Sequence, residues 1–286
     1  MMDNCKAYQM IFQQGYDFIT TSKQLELIVQ RIQEFIFILY SKDKVYALLV
    51  MDDRYKDLFN NIEITLQEFK LDKDKDIFPF PLPIYAKLKF KQHYAIPFCL
   101  QPEPFPLYKV LADYAYSNSN NNNNNDDNNN VNSSLHNSNN TQLVFFMHVY
   151  QRNEKSSIAS YLRKHDLKRT STYYAYADQM RVKLQATHYH TTLLLASNSK
   201  EALMKGLSAF KTAYFTHVTR SNNYRDELNK QRLYRYVTNK PKKPFFSNQR
   251  YTVLSHTEVV SLMLPDSLLL RLTVDGIRPY TTGIML

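Results

Sequence analysis

Apolar residues recur along the N-terminal third of the chain with two different periods. Beyond Thr21, apolar positions three or four residues apart predict an amphipathic helix, and Thr21 with Gln24 has the spacing of a capping box. The positions in this stripe are Leu25, Ile28, Val29, Ile32 and Phe35. Two β-rich runs follow within residues 35–51, on either side of the turn-like segment 41–44, and they predict a β-hairpin.

The rest of the first hundred residues continues this mixed pattern. Asp52 or Asp53 can cap a short helix over residues 54–59, and partial alternation predicts a strand over residues 62–71. A proline-punctuated connector then leads into an alternating strand ending near Phe90. The order helix, strand, strand, helix, strand is typical of one sheet with helices on one face.

A second unit with a similar alternation follows. Pro106 suits the first turn of a helix, and the spacing of Asn198 and Glu201 suits a capping box before another helix. The predicted elements in order are a helix over 102–117, a strand over 143–150, a helix over 170–187, a strand over 188–197 and a helix from 198 onwards. We therefore predict an α+β protein of two ferredoxin-like-style sandwich units, with antiparallel or mixed sheets and helices packed on one face.

Predicted domain boundaries follow from this pattern and from composition. The first unit with its connector spans residues 1–100, the second spans 101–219, and a basic connection plus a short C-terminal helix spans 220–286. The Asn-rich tract at 117–141 cannot bury enough apolar surface to offset its ordering entropy, so we predict a disordered insertion in a loop. Self-association is the functional alternative for such a tract.

Residues 254–266 read LSHTEVVSLMLPD and predict a short capped helix. Ser255 and Glu258 form the S-x-x-E capping box, Val259 and Val260 start an apolar face, and Pro265 discourages continuation.

Composition excludes several classes of function. The chain has only 4 glycines, and none falls in a phosphate-binding pattern of the P-loop or dinucleotide kind, so we expect no nucleotide cofactor. The 2 cysteines lie far apart, which favours a reduced, cytoplasmic protein. We see no signal peptide and no apolar run long enough to cross a bilayer, so we expect a soluble chain that reaches a membrane only through a partner.

Positive charge is concentrated in one block. The 286-residue chain carries a net charge of +10, but residues 151–250 alone hold 20 basic and 6 acidic side chains. This asymmetry indicates an anionic partner, and interleaved aromatics favour single-stranded nucleic acid; a solvated loop is the alternative. The candidate nucleic-acid residues are Arg220, Arg225, Lys230, Arg232, Arg235, Lys240, Lys242, Lys243 and Arg250.

Candidate catalytic chemistry is sparse. His188 and His190 would share one face of a strand, but no third metal ligand is evident, and an ordinary strand is the better interpretation. His148 suits a core or edge position, and no nucleophile or metalloprotease motif occurs. We therefore expect no enzymatic activity, metal or cofactor.

The order of several phrases resembles the N-terminal, non-motor region of conjugative-transfer ATPases of the type IV secretion and coupling-protein kind. Residues 254–266 resemble that family's "LS.EELASL.HLP" phrase, which is the most specific of the matches. The other matching phrases are KVYALLVMDDRYKDLFNNIEITLQEF at 44–69, PLYKVLADYAYS at 106–117, LVFFMHVYQRNEKS at 143–156 and MRVKLQATHYHTTLLLASNSKEALMKGLSAFKTAYF at 180–215.

The resemblance implies an accessory or docking module of a DNA-transfer machine rather than its motor. No phrase of the family's ATP-hydrolysing domain maps onto this sequence, so the resemblance implies a split, truncated or remnant subunit. The implied partner is a protein, such as a separate ATPase or secretion component, with possible contact to DNA. The alternative is a stand-alone, basic, single-stranded nucleic-acid-binding protein.

Overall fold

Eight strands form one continuous sheet in the computed structural model, and every neighbouring pair is antiparallel. The structure describes residues 5–12, 16–41, 45–69, 84–88, 93–123, 142–167, 171–213 and 252–266. No helix in these ranges is long and apolar enough to span a bilayer. The predicted α+β class is confirmed.

The first half of the sheet has the strand order β4-β1-β3-β2. Its strands are β1 Cys5–Phe12, β2 Glu34–Ser41, β3 Val45–Asp52 and β4 Ile64–Phe69. Helix α1 (Phe18–Val29) joins β1 to β2, and a 3-10 helix (Asp53–Phe59) joins β3 to β4. This is a β-α-β-β-α-β unit of the ferredoxin-like kind, with a 3-10 turn as its second helix.

The second half repeats the core of this arrangement. Its elements are β5 Ile84–Lys87, α2 Leu107–Asn123, β6 Leu143–Gln151, α3 Lys155–Leu167, α4 Ser171–Gln185, β7 His188–Ser197, α5 Lys200–Ala213, β8 Thr252–Ser255 and α6 His256–Ser261. Strand β7 lies between β5 and β6, as β3 lies between β1 and β2. Strand β8 takes a different position from β4, because it pairs directly with β7.

The two halves meet at an antiparallel seam between β2 and β6. Its register runs from Glu34 opposite Tyr150 to Tyr40 opposite Val144. Seven residue pairs make this a full-length strand pairing, so the predicted units share one sheet.

Both faces of the central strands are apolar. Phe35, Phe37 and Leu39 of β2 join the main core, which also takes in buried residues of α1, α2, α5 and α6. The alternate residues Ile36 and Ile38 join a second cluster on the opposite face. A strand buried on both faces reads as a continuous apolar run, which explains the sequence FIFIL.

Helices α3 and α4, which connect β6 to β7 along the chain, form a separate small hydrophobic cluster. Ile158 of α3 and Met180 of α4 are fully buried there, together with Ala95 and Ile96 of the loop before α2. This hairpin of helices carries one edge of the candidate site.

Some predicted details agree with the structure and others are wrong. The β2–β3 hairpin is confirmed, and Asp52 caps the next helix by accepting the backbone N–H of Arg54. Helix α1, however, begins at Phe18 with Asp17 as its cap, and Thr21 lies inside it and donates to Glu63. The carboxylate of Asp17 accepts the orphan N–H of Thr20 and so fixes an earlier start.

The cap of α5 and the boundary of the Asn tract also differ from the sequence pattern. Ser199, not Asn198, accepts the N–H of Ala202, while the Asn198 side chain accepts the N–H of Gln142. Helix α2 continues into the Asn tract as far as Asn123, and residues 124–141 lie outside the described part of the chain.

Candidate functional site

The nine basic residues predicted to contact nucleic acid fall between 220 and 250, outside the described residues. The stretch 254–266 lies wholly within the described residues, and it forms the centre of the candidate site. Strand β8 and helix α6 place its side chains against α4 and the loop at 97–100.

The predicted capping box of α6 is confirmed. Ser255 Oγ accepts the N–H of Glu258 at 3.3 Å, and Glu258 Oε2 accepts the N–H of Ser255 at 2.7 Å. The other carboxylate oxygen of Glu258 accepts the N–H of Phe98 at 2.8 Å. One side chain therefore starts α6 and also holds the loop in front of α2.

The Glu258 carboxylate also forms a buried ion pair with a lysine of α4. Lys183 Nζ lies 2.7 Å from Glu258 Oε2, and both side chains are 1% exposed. The same ammonium donates to the carbonyl of Val253 in β8 at 2.9 Å. Each charge is paired and hydrogen-bonded, which is the condition under which a buried ion pair is tolerated. We call this arrangement the Lys183–Glu258 latch.

A recess of about 210 Å³ opens beside the latch, between α4, the start of α6 and the loop at 97–100. It is lined by Pro97, Cys99, Leu100, Val182, Lys183, Gln185, Ala186, Ser255, His256 and Thr257. We call it the α4–α6 recess.

The titratable groups of the recess are held neutral or paired. Burial raises the pKa of the Cys99 thiol, and the nearby Glu258 carboxylate raises it further, so the sulfur stays protonated, 3.2 Å from Ser261 Oγ. Burial lowers the pKa of His256, whose Nδ1 accepts the N–H of Thr187. A protonated thiol and a neutral imidazole give no activated nucleophile, because the thiolate is the reactive form of cysteine.

The rim of the α4–α6 recess is open to solvent and combines two apolar side chains with the amide of Gln185. Leu100 is 47% exposed and Val182 is 55% exposed, and both line the recess. Large exposed hydrophobic side chains around a preformed concavity are a recurrent feature of protein contact sites.

The strand histidines each have a structural partner. His188 and His190 project on one face of β7, as predicted, and both are buried. His188 Nε2 donates to the carbonyl of Lys183 at 2.7 Å, and His190 Nε2 lies 2.7 Å from Glu154 Oε1. Burial lowers the pKa of His188, which favours its neutral form.

His148 forms a similar pair on the neighbouring strand. Its Nε2 lies 3.1 Å from Glu34 Oε1 at the start of β2. Over the ranges that the structure describes, no group of three or more His, Cys, Asp or Glu residues is placed to hold a metal ion.

The capping box is predicted by the sequence, but its buried ion-pair partner, Lys183, is not. Lys183 looks like one more surface cation in a basic block, because a lysine is seldom buried. A usable signal was available in the helix pattern, because Met180 and Lys183 are three residues apart and share a helix face, and both are buried.

Comparison with known proteins gives no assignment: no protein-family model matches the chain, and no curated protein matches it.

Proposed function

We propose that this chain is a non-enzymatic docking module related to the N-terminal region of conjugative DNA-transfer ATPases. The proposal is supported by the position of the resembling phrases, which supply β3, α2, β6, β7, α5 and α6 of one shared sheet and its helices. Its partner is a separate ATPase or another secretion component. It acts in the cytoplasm and associates with a membrane only through that partner.

The α4–α6 recess is the observation that carries this proposal. Its buried polar groups, Lys183 and Cys99, are engaged within the chain, and its exposed side chains are the apolar Leu100 and Val182 with the polar Gln185 beside them. Such a site gains affinity by burying a partner's apolar side chain, worth about 1.5–3 kcal/mol for a leucine-sized group. The latch holds the walls in place, so little ordering entropy opposes docking.

The test is capture of the partner by the full-length chain and by matched variants. The wild-type chain, purified from native lysate at low salt, should retain a protein whose sequence contains GxxxxGK[ST] or another secretion component, identified by mass spectrometry. The variant L100S/V182S should lose at least tenfold of that capture, since two apolar contacts at a rim are worth more than 1.4 kcal/mol.

The control is L27S/M204S, which removes exposed apolar side chains of similar exposure from α1 and α5. It should capture as much partner as the wild type. Retention of no such component by the wild type, or equal losses in both variants, contradicts the proposal.

A further inference from the structure

Helix α3 presents a basic surface whose residues neither line the α4–α6 recess nor belong to the nine basic residues predicted from the sequence. Arg152, just before the helix, and Lys155, Arg163 and Lys164 within it are all exposed. Of the residues that the structure describes, no carboxylate forms an ion pair with any of these four cations.

Because one acidic side chain is buried, the exposed charge of this surface is more positive than the formal charge of its segment. Residues 152–166 contain four basic and two acidic side chains, for a formal charge of +2. One of the acids, Glu154, is only 4% exposed and is directed inward at His190. Asp166 is then the one exposed acid in this segment, and the exposed charge is +3.

The helical period places Arg163 and two serines on the outer face of α3 and the two lysines to either side of it. Ile158 is fully buried and Tyr161, Leu162 and His165 pack toward the α3–α4 cluster, which fixes the inner face. At about 100° per residue, Ser156, Ser160 and Arg163 fall on the middle of the outer face. Lys164 lies about 70° to one side of that middle, and Lys155 lies about 110° to the other side, at the border with the inner face. Both serines are exposed, so their hydroxyl groups can donate beside the cations.

We propose that the outer face of α3 binds the phosphate backbone of nucleic acid without sequence preference. Lys155 and Arg163 are separated by about 12 Å along the helix axis and by about 80° around it, and duplex DNA carries about seven phosphate charges over that axial distance. Arginine, lysine and serine are the side chains that most often contact phosphate oxygens. An acidic protein would need carboxylates matched to these positions, whereas a nucleic acid supplies a continuous row of anions.

Salt-dependent binding of the full-length chain tests this directly. A labelled single strand and a duplex of equal length would be titrated at several salt concentrations, with the wild type and with R152Q/K155Q/R163Q/K164Q. Loss of four phosphate contacts should reduce the slope of log K against log salt by about 3 for the single strand, and affinity at low salt should fall more than tenfold.

The matched control is K23Q/R31Q/K109Q/K211Q, which removes four exposed cations outside α3. It should bind within about threefold of the wild type if position matters more than net charge. A third variant, with the nine basic residues between 220 and 250 changed to Gln, measures their separate contribution. Unfolding midpoints in urea check that each variant retains the fold.

Three results would overturn the proposal. One is nucleic-acid binding that the α3 variant leaves unchanged, or that is absent in the wild type. Another is an equal loss in the control variant, which would show an effect of net charge alone. The last is binding to poly-glutamate as tight as to the single strand, which would assign the surface to an acidic protein. None of these readouts depends on capture of the ATPase.

Discussion

His93, in the loop before α2, shows how burial fixes the charge of a single side chain. Its ring stacks on Tyr161 with centroids 3.5 Å apart, and its Nδ1 accepts the N–H of Ala95 at 3.2 Å. Burial, together with the smaller effects of the nearby charges of His165, Lys183 and Lys164, lowers the pKa of His93 to about 4. The imidazole must stay neutral to accept this bond.

This pKa predicts a loss of stability in acid. The unfolded chain binds a proton at His93 below about pH 6.5, and the folded chain does so only below about pH 4. The contribution of His93 to the free energy of unfolding should therefore be constant above pH 7 and fall as the pH drops from 6.5 to 4. We expect His93 to contribute about 1–2 kcal/mol of this loss. This is less than the free energy that corresponds to the whole difference between its unfolded and folded pKa values, because the ring is partly exposed.

The variant H93N tests the assignment, because Asn can accept the N–H two residues ahead and does not titrate. Urea unfolding at pH 7 and at pH 4.5 should show a smaller difference for H93N than for the wild type. The same acid sensitivity in both proteins would refute the role of His93; His188 and His256, whose pKa values are also lowered, are unchanged in both.

At the scale of elements, the Lys183–Glu258 latch joins α4, β8, α6 and the loop at 97–100. Helix α6 has six residues and would not be stable alone, since isolated helices shorter than about 12 residues are marginal in water. Its stability comes from the latch and from Val259 and Val260, which are fully buried in the main core.

A double-mutant cycle measures the latch. E258Q leaves Lys183 buried without its anion, and it also replaces one of the two oxygens that accept the N–H groups of Ser255 and Phe98 with an NH2 donor. K183M leaves the Glu258 carboxylate without its cation. Each should lower the free energy of unfolding by about 3–5 kcal/mol.

The double variant K183M/E258Q should be much less destabilised than the sum of the two single variants, because the aliphatic part of Met fills the space of Lys and no charge remains buried. Urea denaturation gives all four values. Additive effects would show that the two side chains act independently.

Elements specified by local signals could be predicted from the sequence. The β2–β3 hairpin follows from two β-rich runs around a turn, and α6 follows from Ser255 and Glu258. Strand β1 was not predicted, although Tyr8, Met10 and Phe12 alternate into the core. Helix α3 was not predicted either, because Ile158 is its only fully buried residue and its apolar stripe is weak.

Long-range features could not be predicted in this way. The proximity of Lys183 to Glu258 spans 75 positions and depends on the placement of β8, which the local pattern does not encode. The wrong cap at Thr21 has the same origin, since Glu63, in the turn before β4, accepts a hydrogen bond from the Thr21 hydroxyl, and Asp17 caps the helix instead.

At the scale of the whole molecule, the β2–β6 seam makes the two halves one cooperative sheet. Core residues of both halves belong to a single apolar cluster, which crosses the seam at Phe37 and Met147. Neither half can unfold without exposing the apolar faces of the other's central strand. We therefore expect one unfolding transition rather than two.

Two inserted tryptophans can test this, because the chain has no Trp of its own. Tyr55 in the first half and Tyr114 in the second each carry a cation over the ring, Arg54 at 4.7 Å and Lys205 at 5.0 Å, so Y55W and Y114W preserve both contacts. The fluorescence of each variant and its far-UV circular dichroism should give the same urea midpoint. Midpoints that differ between the two probes would show that the halves unfold separately.

Strand β7 has one long edge that two short strands share, with β5 along Leu194 to Ser197 and β8 along His188 to Thr191. Strand β8 contributes four residues, yet it covers the backbone N–H and C=O groups of β7 from His188 to Thr191 at the border of an eight-stranded sheet. A chain whose latch fails would present that row to other copies of itself, and an uncovered strand edge is a template for further strands. Loosening of α6 is thus expected to appear first as concentration-dependent aggregation, before any loss of helix or sheet within the monomer.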